Sequence, residues 1–243
     1  MSAVPDLTRI SVVIPCLDEE EPIADVVREV LAQGVGEVIV VDNGSSDRTA
    51  ERASGAGARV VSQPSRGYGL ACAAGLASIG DPTRIVCFLD GDGSDCPAFI
   101  PAVVRPIADG TADFVMGSRL KGHREPGSMT PQQVVAGWLA GQLMRLRYGV
   151  RFTDMSPMRA MRLEQLTALG MRETTYGWNL EMQMRVASAG LRAIEIPVDH
   201  RCRRGGASKV SGNAKAIVSA SWKIASTFVR LSLTLGRAHA AAS

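Results

Sequence analysis

The sequence predicts an α/β fold in which helices cover a doubly wound, mostly parallel sheet. Three observations lead to this prediction. Short β-branched runs alternate with helical segments over the first half of the chain, these runs end at acidic or turn residues, and apolar residues make up 46% of the 243 positions. That apolar fraction supplies a full core, and the sequence contains no internal repeat or long linker, so we expect a single domain.

The first half of the chain reads as five strands joined by four helices. The first strand, residues 10–14, should stop at Pro15, and Pro22 suits the first turn of the following helix. Because strand and helix alternate, the strands should pair in parallel through helical crossovers. The remaining strands are expected at residues 37–41, 59–61, 84–89 and 113–116, and the remaining helices at residues 46–53, 67–79 and 97–108.

The pattern changes after Ser118. A loop rich in glycine, proline and charge is followed by a helix, an irregular segment, two further helices and a strand. These are expected at residues 121–130, 131–148, 154–161, from 163, at 179–189 and at 191–198. A basic loop, residues 201–209, follows the last strand.

The charge distribution is asymmetric. Residues 1–118 carry 8 Lys and Arg against 17 Asp and Glu, whereas residues 119–243 carry 19 against 7, and the net charge is +3. One interpretation is that the acidic half collects metal ligands while the basic half faces phosphates; the other is that solvated helices differ in charge. The basic half has few aromatic residues for stacking on bases, which argues against a nucleic-acid partner.

Cysteine usage and the N-terminus predict the compartment. The five cysteines are an odd number and form no C-x-x-C pair, so neither a disulfide framework nor a zinc site is expected. Residues 1–8 lack a basic segment followed by an apolar one, which argues against a signal peptide. We expect a cytoplasmic protein, with the inner face of the membrane as an alternative location.

Two carboxylates follow the fourth predicted strand. The apolar run 85–89 reads as a buried strand, and it ends in Asp90-Gly91-Asp92. Ligands of parallel sheets bind beyond the carboxyl ends of the strands, so both acids should lie at the rim of a pocket, on a backbone that Gly91 leaves open. Such oxygen ligands suit Mg²⁺ or Mn²⁺ held together with a substrate's phosphates. The alternative is a polar turn, and Asp95 suits capping of the next helix.

Three further segments end at the same predicted rim. Asp42 ends the second strand, where its carboxylate can accept a base N–H or a ribose hydroxyl, while Asp47 suits capping of the next helix. Acidic residues after the first strand fit the N-terminus of the following helix, and one of them, Glu19, is expected to face the nucleotide. Arg66 and Gly67 precede a helix, so their loop either offers N–H groups to a ligand or packs against the helix.

Taken in order, these segments resemble the opening motifs of the family 2 glycosyltransferases with the GT-A fold. The resemblance is carried by residues 11–15 with 18–20, 41–47 and 89–92. It implies an enzyme that binds a nucleotide-diphosphate sugar, UDP- or GDP-linked, with Mg²⁺ or Mn²⁺ on Asp90 and Asp92. It also implies donor contacts at eight positions: Pro15, Leu17, Glu19, Asp42, Arg66, Gly67, Asp90 and Gly91.

Later segments are similar to the branch that contains dolichyl-phosphate mannosyltransferases and polyprenyl-phosphate glucosyltransferases. The matching segments are residues 117–119, 153–160, 176–182 and 203–209. In that branch the residues that match Arg119 and Lys209 approach phosphates, which implies a polyprenyl (lipid) phosphate as the acceptor. The alternatives are a soluble hydroxyl acceptor and a non-catalytic nucleotide-binding or scaffold protein on the same fold.

The resemblance further implies an inverting, single-displacement transfer. The metal, held chiefly by Asp92, would stabilise the charge on the leaving diphosphate. A hydroxyl acceptor would need a general base, for which Asp154 and Glu181 are the candidates, whereas a phosphate acceptor is already anionic and needs none. The alternative for Glu181 is an ion pair with Arg185 one helical turn later.

The single domain then divides into a nucleotide-sugar-binding half (1–118), an acceptor half (119–211) and a tail (212–243). Three basic residues interrupt the apolar tail, so a membrane-spanning helix is not expected and an amphipathic helix fits better. Its apolar side would carry Ile217, Ile224, Phe228, Leu231 and Leu235. This helix either lies on a membrane surface or packs on its own domain or a partner subunit, which leaves a homodimer open.

Overall fold

The computed structural model describes residues 6–205 and 225–235. Within these residues a seven-stranded sheet forms the centre of the molecule. Its strands are β1 (Ile10–Cys16), β2 (Glu37–Asp42), β3 (Arg59–Ser62), β4 (Ile85–Phe88), β5 (Phe114–Ser118), β6 (Arg159–Arg162) and β7 (Ala193–Pro197). The helices between them are α1 (Ile23–Leu31), α2 (Thr49–Gly55), α3 (Tyr68–Ala77), α4 (Ile100–Ala108), α5 (Pro131–Tyr148), α6 (Leu163–Ala168) and α7 (Trp178–Ser188).

The strand order is β3-β2-β1-β4-β6-β5-β7. Every pairing is parallel except those of β6, which runs antiparallel to both β4 and β5. The predicted doubly wound, mostly parallel α/β sheet is therefore confirmed. Because β1, β2, β4, β5 and β7 run in the same direction, their carboxyl ends share one edge of the sheet, which is where ligands bind in this architecture.

Strand β6 corrects the prediction that residues 154–161 are irregular. The segment Arg159–Arg162 pairs on both sides, with Arg159 opposite Phe88 of β4 and Met116 of β5. Four residues with an arginine at each end give no readable alternation of apolar and polar positions. The hydrogen bonds of two neighbouring strands, which are distant in sequence, decide this conformation.

Strand β1 continues through Pro15 to Cys16, so the prediction that Pro15 stops it is wrong. The carbonyl of Val13 accepts a hydrogen bond from Leu89 on the β4 side, and Pro15, two residues later, faces the same side. The pairing of β1 with β4 ends at Phe88. The missing N–H of proline therefore faces a position that the sheet leaves unpaired, which is where proline is tolerated in a strand.

Two apolar cores cover the two faces of the sheet. Val12 and Ile14 join the core under α1 and α4, whereas Val13 joins the core under α3, α5 and α7. The small residues of α3 allow a close approach, since a Cβ atom at Gly75 would lie 2.4 Å from the Val13 side chain. This packing fixes β1, and with it the site edge, between two helical layers.

Part of the predicted tail is described as a helix, residues 225–234, which we call the C-terminal helix. Leu231 is buried in the core under α5 and α7, and Phe228 packs against that core. Arg147 of α5 donates hydrogen bonds to the carbonyls of Ser232 and Leu235. The inner side of this helix thus packs on its own domain. Ile217 and Ile224 lie outside the described residues. Among the described helices, none is long and apolar enough to cross a membrane.

Candidate active site

The loops that follow β1 and β2 are tied together at the shared edge of the sheet. The Asp18 carboxylate accepts a hydrogen bond from the Ser46 N–H at 2.7 Å, and the Asp18 N–H donates to the Ser45 hydroxyl at 3.0 Å. Asp18 has a φ of 50° and is the only non-glycine residue with a positive φ among those described. Asparagine and aspartate tolerate this conformation best, which explains an acidic residue at this turn.

Four predicted acidic residues surround the thiol of Cys16 at the end of β1. Burial raises the pKa of this thiol, and the charges of Glu19, Asp90, Asp42 and Asp92 raise it further. The structure therefore brings the acids of three separate loops to one place. Pro15 and Leu17, on either side of Cys16, are half-buried at the same edge.

Asp42 is half-buried and accepts a hydrogen bond from the Ser45 N–H at 3.0 Å. Asp47 accepts a hydrogen bond from the N–H of Thr49, the first residue of α2, at 3.0 Å, but Arg48 and not Asp47 occupies the N-cap position. Sequence reasoning missed Asn43, which follows Asp42 and is buried. Its amide donates to the carbonyls of Gln63 and Ser65, so it fixes the loop after β3.

The Arg66–Gly67 loop is held by protein contacts. The Gly67 N–H donates to the Asn43 side chain at 2.7 Å, and a Cβ atom at Gly67 would lie 2.4 Å from the Thr174 carbonyl oxygen. Close packing against residues 173–174, in the segment between α6 and α7, therefore explains the glycine. Arg66 is exposed.

Asp90 and Asp92 form a compact turn directly after β4. Asp92 accepts a hydrogen bond from the Ser94 N–H at 2.9 Å, and Asp90 accepts one from the Tyr68 hydroxyl at 3.3 Å. A Cβ atom at Gly91 would lie 2.3 Å from the Cys16 sulfur. The expectation that Gly91 leaves an open backbone is therefore wrong, because Cys16 fills that space. The glycine instead lets the acidic turn pack directly on the end of β1.

Asp95 shapes this turn and does not cap a helix, contrary to the sequence prediction. It is 3% exposed, and its carboxylate accepts a hydrogen bond from the Asp90 N–H at 3.0 Å. The 3₁₀ turn that follows, Pro97–Phe99, has Cys96 at its N-cap position and no side-chain cap. Burial raises the pKa of Asp90 well above its usual range, and Asp95 and Asp92 raise it further. A divalent cation would relieve this repulsion, so the turn fits a metal ion.

His200 is a site residue that sequence reasoning missed. It is 5% exposed, its Nδ1 atom lies 3.9 Å from an Asp95 carboxylate oxygen, and Nδ1 has no hydrogen-bond partner among the described residues. Burial, together with Arg119, lowers the pKa of His200 to about 4. The ring is therefore neutral near pH 7, as a metal ligand must be. In the sequence, its position just past the end of the last strand could have indicated that His200 belongs to the site.

The structure describes no complete metal centre made of protein side chains. Within residues 6–205 and 225–235, no three His, Cys, Asp or Glu side chains are grouped as such a site. The protein would thus supply part of the coordination sphere. Mg²⁺ is usually bound in this way, by one or two carboxylates together with substrate phosphates.

Arg119 follows β5 and pairs with Asp154. Its Nε and Nη2 atoms each lie 2.8 Å from one carboxylate oxygen, and its backbone N–H donates to the same group at 3.0 Å. Burial opposes the charge of Arg119, but Asp154, Asp95 and Asp90 raise its pKa. Arg119 is therefore a fixed cation beside the acidic turn. Lys121 forms a second pair in this region, 2.9 Å from Glu195.

The two predicted general bases are both occupied by structural contacts. Asp154 is 1% exposed, and although burial would raise its pKa, the ion pair with Arg119 lowers it overall. Glu181 is fully buried and accepts hydrogen bonds from the N–H groups of Arg172 and Glu173, and from Arg185 at 2.8 Å. A general base must reach the proton that it removes. This placement does not fit either prediction, and the alternative pairing of Glu181 with Arg185 is confirmed.

The basic loop after β7 lies across the acidic turn. The Arg204 N–H donates to the Asp92 carbonyl at 3.0 Å, and its side chain pairs with Glu29 of α1. Arg203 contacts both carboxylate oxygens of Glu19 at 2.9 and 3.0 Å. Glu19 therefore holds a cation at the site edge. Lys209, predicted in the same loop, lies outside the described residues.

Arg159 is a third residue that sequence reasoning did not single out. It is 1% exposed, and its guanidinium donates hydrogen bonds to the carbonyls of Ser156, Pro157 and Asn179. Burial lowers its pKa, while Tyr68, Cys72 and Asp90 act in the opposite direction. It adds a buried positive charge on the inner side of Asp90.

Known glycosyltransferases are similar to this chain in sequence and in structure. The family model described as "Glycosyl transferase family 2" covers residues 11–169. An uncharacterized glycosyltransferase of Mycobacterium tuberculosis is 37% identical over 222 residues, which cover 89% of this chain and 98% of the relative. A dolichyl-phosphate hexose transferase of Haloferax volcanii is 33% identical over 200 residues, covering 81% of this chain and 84% of the relative.

The solved structures include glucosyl-3-phosphoglycerate synthase of M. tuberculosis. Its complex with Mn²⁺, UDP-glucose and phosphoglyceric acid superposes with a TM-score of 0.74 at 25% identity, covering 92% of this chain and 79% of that one. Its complex with Mg²⁺ and UDP gives 0.72 at 26% identity, covering 91% and 78%. The family match spans more than half of the chain. The structural neighbours, which have the GT-A fold, share the sheet described above. This chain is therefore a member of glycosyl transferase family 2, an enzyme family that transfers sugars.

Proposed function

We propose that this enzyme transfers a sugar from a nucleoside-diphosphate sugar to the phosphate of an acceptor, with a lipid phosphate as the acceptor class. The observation that carries the proposal is the acidic turn Asp90–Asp92, which packs on the end of β1 with Arg119 and the basic loop beside it. A diphosphate with its metal ion requires acidic side chains that bind the metal ion. It also requires fixed positive side chains beside them that bind the phosphates.

Asp90 and Asp92 would hold the metal ion, and the unpaired Nδ1 atom of His200, 3.9 Å from Asp95, is a candidate nitrogen ligand. Mg²⁺ or Mn²⁺ bound there would act as a Lewis acid on the leaving diphosphate. The Mn²⁺ and Mg²⁺ complexes of the M. tuberculosis synthase support this assignment. The Tyr68 hydroxyl and the Asp95 carboxylate orient Asp90 from two sides.

Three further groups would orient the donor. Asp42 lies at the end of β2, where its carboxylate can accept hydrogen bonds from the nucleoside. Arg203, held by Glu19, and Arg119, held by Asp154, are fixed guanidinium groups that can neutralise phosphate oxygens. Arg66 stays a predicted contact of the donor, and Lys209 stays a predicted phosphate contact. The UDP and UDP-glucose complexes of the structural neighbour support a uridine donor.

A phosphate acceptor fits the site better than a hydroxyl acceptor. Both carboxylates that could have served as a general base, Asp154 and Glu181, are buried in ion pairs. A phosphate monoester is largely ionised at neutral pH and attacks without a base. The H. volcanii relative, by its name, acts on dolichyl phosphate, which supports a lipid phosphate. The M. tuberculosis synthase was crystallised with phosphoglyceric acid, which carries both a phosphate and a hydroxyl, and this complex supports a soluble acceptor as the second candidate.

The test measures transfer from radiolabelled UDP- and GDP-sugars with Mn²⁺, offering polyprenyl phosphate in detergent or phosphoglyceric acid as the acceptor. We expect label to enter the organic phase with one donor, and Asp92→Asn to reduce this at least 100-fold at an unchanged melting temperature. Asp25→Asn, on the exposed side of α1, is the matched control. Label transferred only to the soluble acceptor would refute the lipid acceptor, and full activity of Asp92→Asn would refute the metal site.

A further inference from the structure

We propose that the outer face of α5 and the C-terminal helix docks on the surface of an anionic phospholipid bilayer. We call this surface the α5 face and define it by the exposed residues Val135, Trp138, Leu139, Leu146, Val229 and Leu233. It lies on α5 and the C-terminal helix and does not depend on the donor chemistry proposed above.

Helix α5 is apolar on the side that faces solvent. Its inner side packs into the domain through small or buried residues such as Gly137, Gly141 and Met144. Its outer side carries Trp138, which is 57% exposed, and Leu146, which is 84% exposed. A helix that packs on one side normally turns polar residues to water on the other. Among residues 6–205 and 225–235, nothing covers the apolar side chains on the outer side of α5.

The C-terminal helix extends the same surface. Its inner residues Thr227 and Leu231 are buried, whereas Val229 and Leu233 are 59% and 83% exposed. A groove of about 450 Å³ lies between the two helices, with walls from α5, Leu180 at its base and Ala225 and Phe228 on the far side. Exposed apolar side chains thus continue from one helix to the next, as expected of an interaction surface.

The charge of these segments identifies the partner. Residues 131–153 contain three arginines and no acidic residue, and residues 201–243 contain eight lysines and arginines and no acidic residue. Arg145 and Arg151 are exposed at the end of α5 and just beyond it. Apolar and aromatic side chains bordered by basic ones are the composition of helices that lie in the headgroup region of anionic membranes.

A second copy of the chain is the less suitable partner. In a two-fold dimer the same face meets itself, so the arginines of one α5 would lie near those of the other without acidic partners on either helix. Anionic headgroups would neutralise these arginines while the acyl region accepts Trp138 and Leu146. A lipid surface therefore satisfies both the charge and the apolar area.

The test is co-sedimentation of the full chain with phosphatidylcholine vesicles, with and without phosphatidylglycerol. We expect binding to the anionic vesicles only, a several-fold loss with Leu146→Glu or Leu233→Glu, and a further decrease as salt is raised. Ala102 is an exposed position of α4, on the opposite face of the sheet, and Ala102→Glu, which adds the same charge there, should bind like the wild type. Thermal melts establish that each variant is folded.

Three results would overturn the proposal: no sedimentation with anionic vesicles, equal binding to neutral vesicles, or wild-type binding by both glutamate variants. A dimer in analytical ultracentrifugation that Leu146→Glu dissociates would instead assign the α5 face to a second copy. The shift in melting temperature with UDP and Mn²⁺ should be the same for Leu146→Glu and the wild type. That measurement separates failure of the docking surface from failure of the donor site.

Discussion

Arg119 and Asp154 form a bidentate ion pair at the end of β5, with both N···O distances at 2.8 Å and side chains that are 13% and 1% exposed. Asp154 also binds the Arg119 backbone N–H, so one carboxylate fixes both the chain and the guanidinium of the same residue. The pair holds a cation beside Asp90 and Asp95 in a defined orientation. Asp154 thereby fixes the orientation in which Arg119 would meet a phosphate under the proposed function.

Asp154→Asn should destabilise the protein and weaken phosphate binding. Removing one partner of a buried ion pair leaves an uncompensated charge, which costs about 3–5 kcal/mol. Chemical denaturation measures the stability change, and KM for the nucleotide-sugar donor should rise more than kcat falls. Asp25→Asn breaks a pair in which both side chains are more than half exposed, and it should change stability by less than about 1 kcal/mol. Equal effects of the two variants would contradict the role of the Arg119–Asp154 pair.

Gly91→Ala should disturb the acidic turn because its Cβ atom would lie 2.3 Å from the Cys16 sulfur. The next nearest atoms are 3.4 Å away, an acceptable contact. Cys16→Ala removes the sulfur, so the double variant Gly91→Ala/Cys16→Ala should recover much of the Mn²⁺-dependent UDP binding that the single variant loses. Calorimetric titration with UDP and Mn²⁺ measures this recovery. If the double variant binds as poorly as Gly91→Ala, the contact with Cys16 is not the reason for the glycine.

Glu181→Gln should lower stability and leave the chemistry intact. The carboxylate accepts backbone hydrogen bonds from residues 172–173 and pairs with Arg185. The NH₂ group of an amide in its place would face N–H groups that are themselves hydrogen-bond donors. We expect a lower melting temperature but nearly normal kcat for the folded fraction. A general base contributes about 10²–10⁴-fold. A drop of that size in kcat at an unchanged melting temperature would restore the predicted base role.

Asp113→Asn should destabilise the protein near neutral pH, and this destabilisation should disappear at acidic pH. Hydrogen bonds from Arg192 lower the pKa of Asp113 below its usual value, and Gln165 adds a weaker one. A lowered pKa in the folded state means that the stabilisation is fully present above pH 4 and is lost as the pH falls through the folded-state value. The melting-temperature difference between wild type and Asp113→Asn should therefore shrink from pH 6 toward pH 2. A difference that is constant over this range would show that the ionised carboxylate does not stabilise the fold.

The alternation of strands and helices through residue 118 could be read from the sequence, because β-branched runs and helical spacing are local signals. The same is true of α5, whose predicted bounds match the structure, since Pro131 begins it and Gly149 adopts a left-handed conformation after its end. The acidic residues at strand ends were placed correctly for the same reason. Parallel strands bring their carboxyl ends to one edge regardless of the details of packing.

Only the tertiary structure assigned partners to most of these charged residues. Glu181 and Arg185 lie one helical turn apart, so their pairing could be read from the sequence. The pairs of Asp154 with Arg119 and of Glu19 with Arg203 join residues that are distant in the chain, and these pairs form only in the folded domain. Strand β6 and the buried His200 likewise depend on neighbours far away in the chain. Local propensity and strand order therefore determined where the acidic edge lies. Burial and long-range ion pairing, which no window of sequence records, decided which of its acids remain able to hold a metal ion.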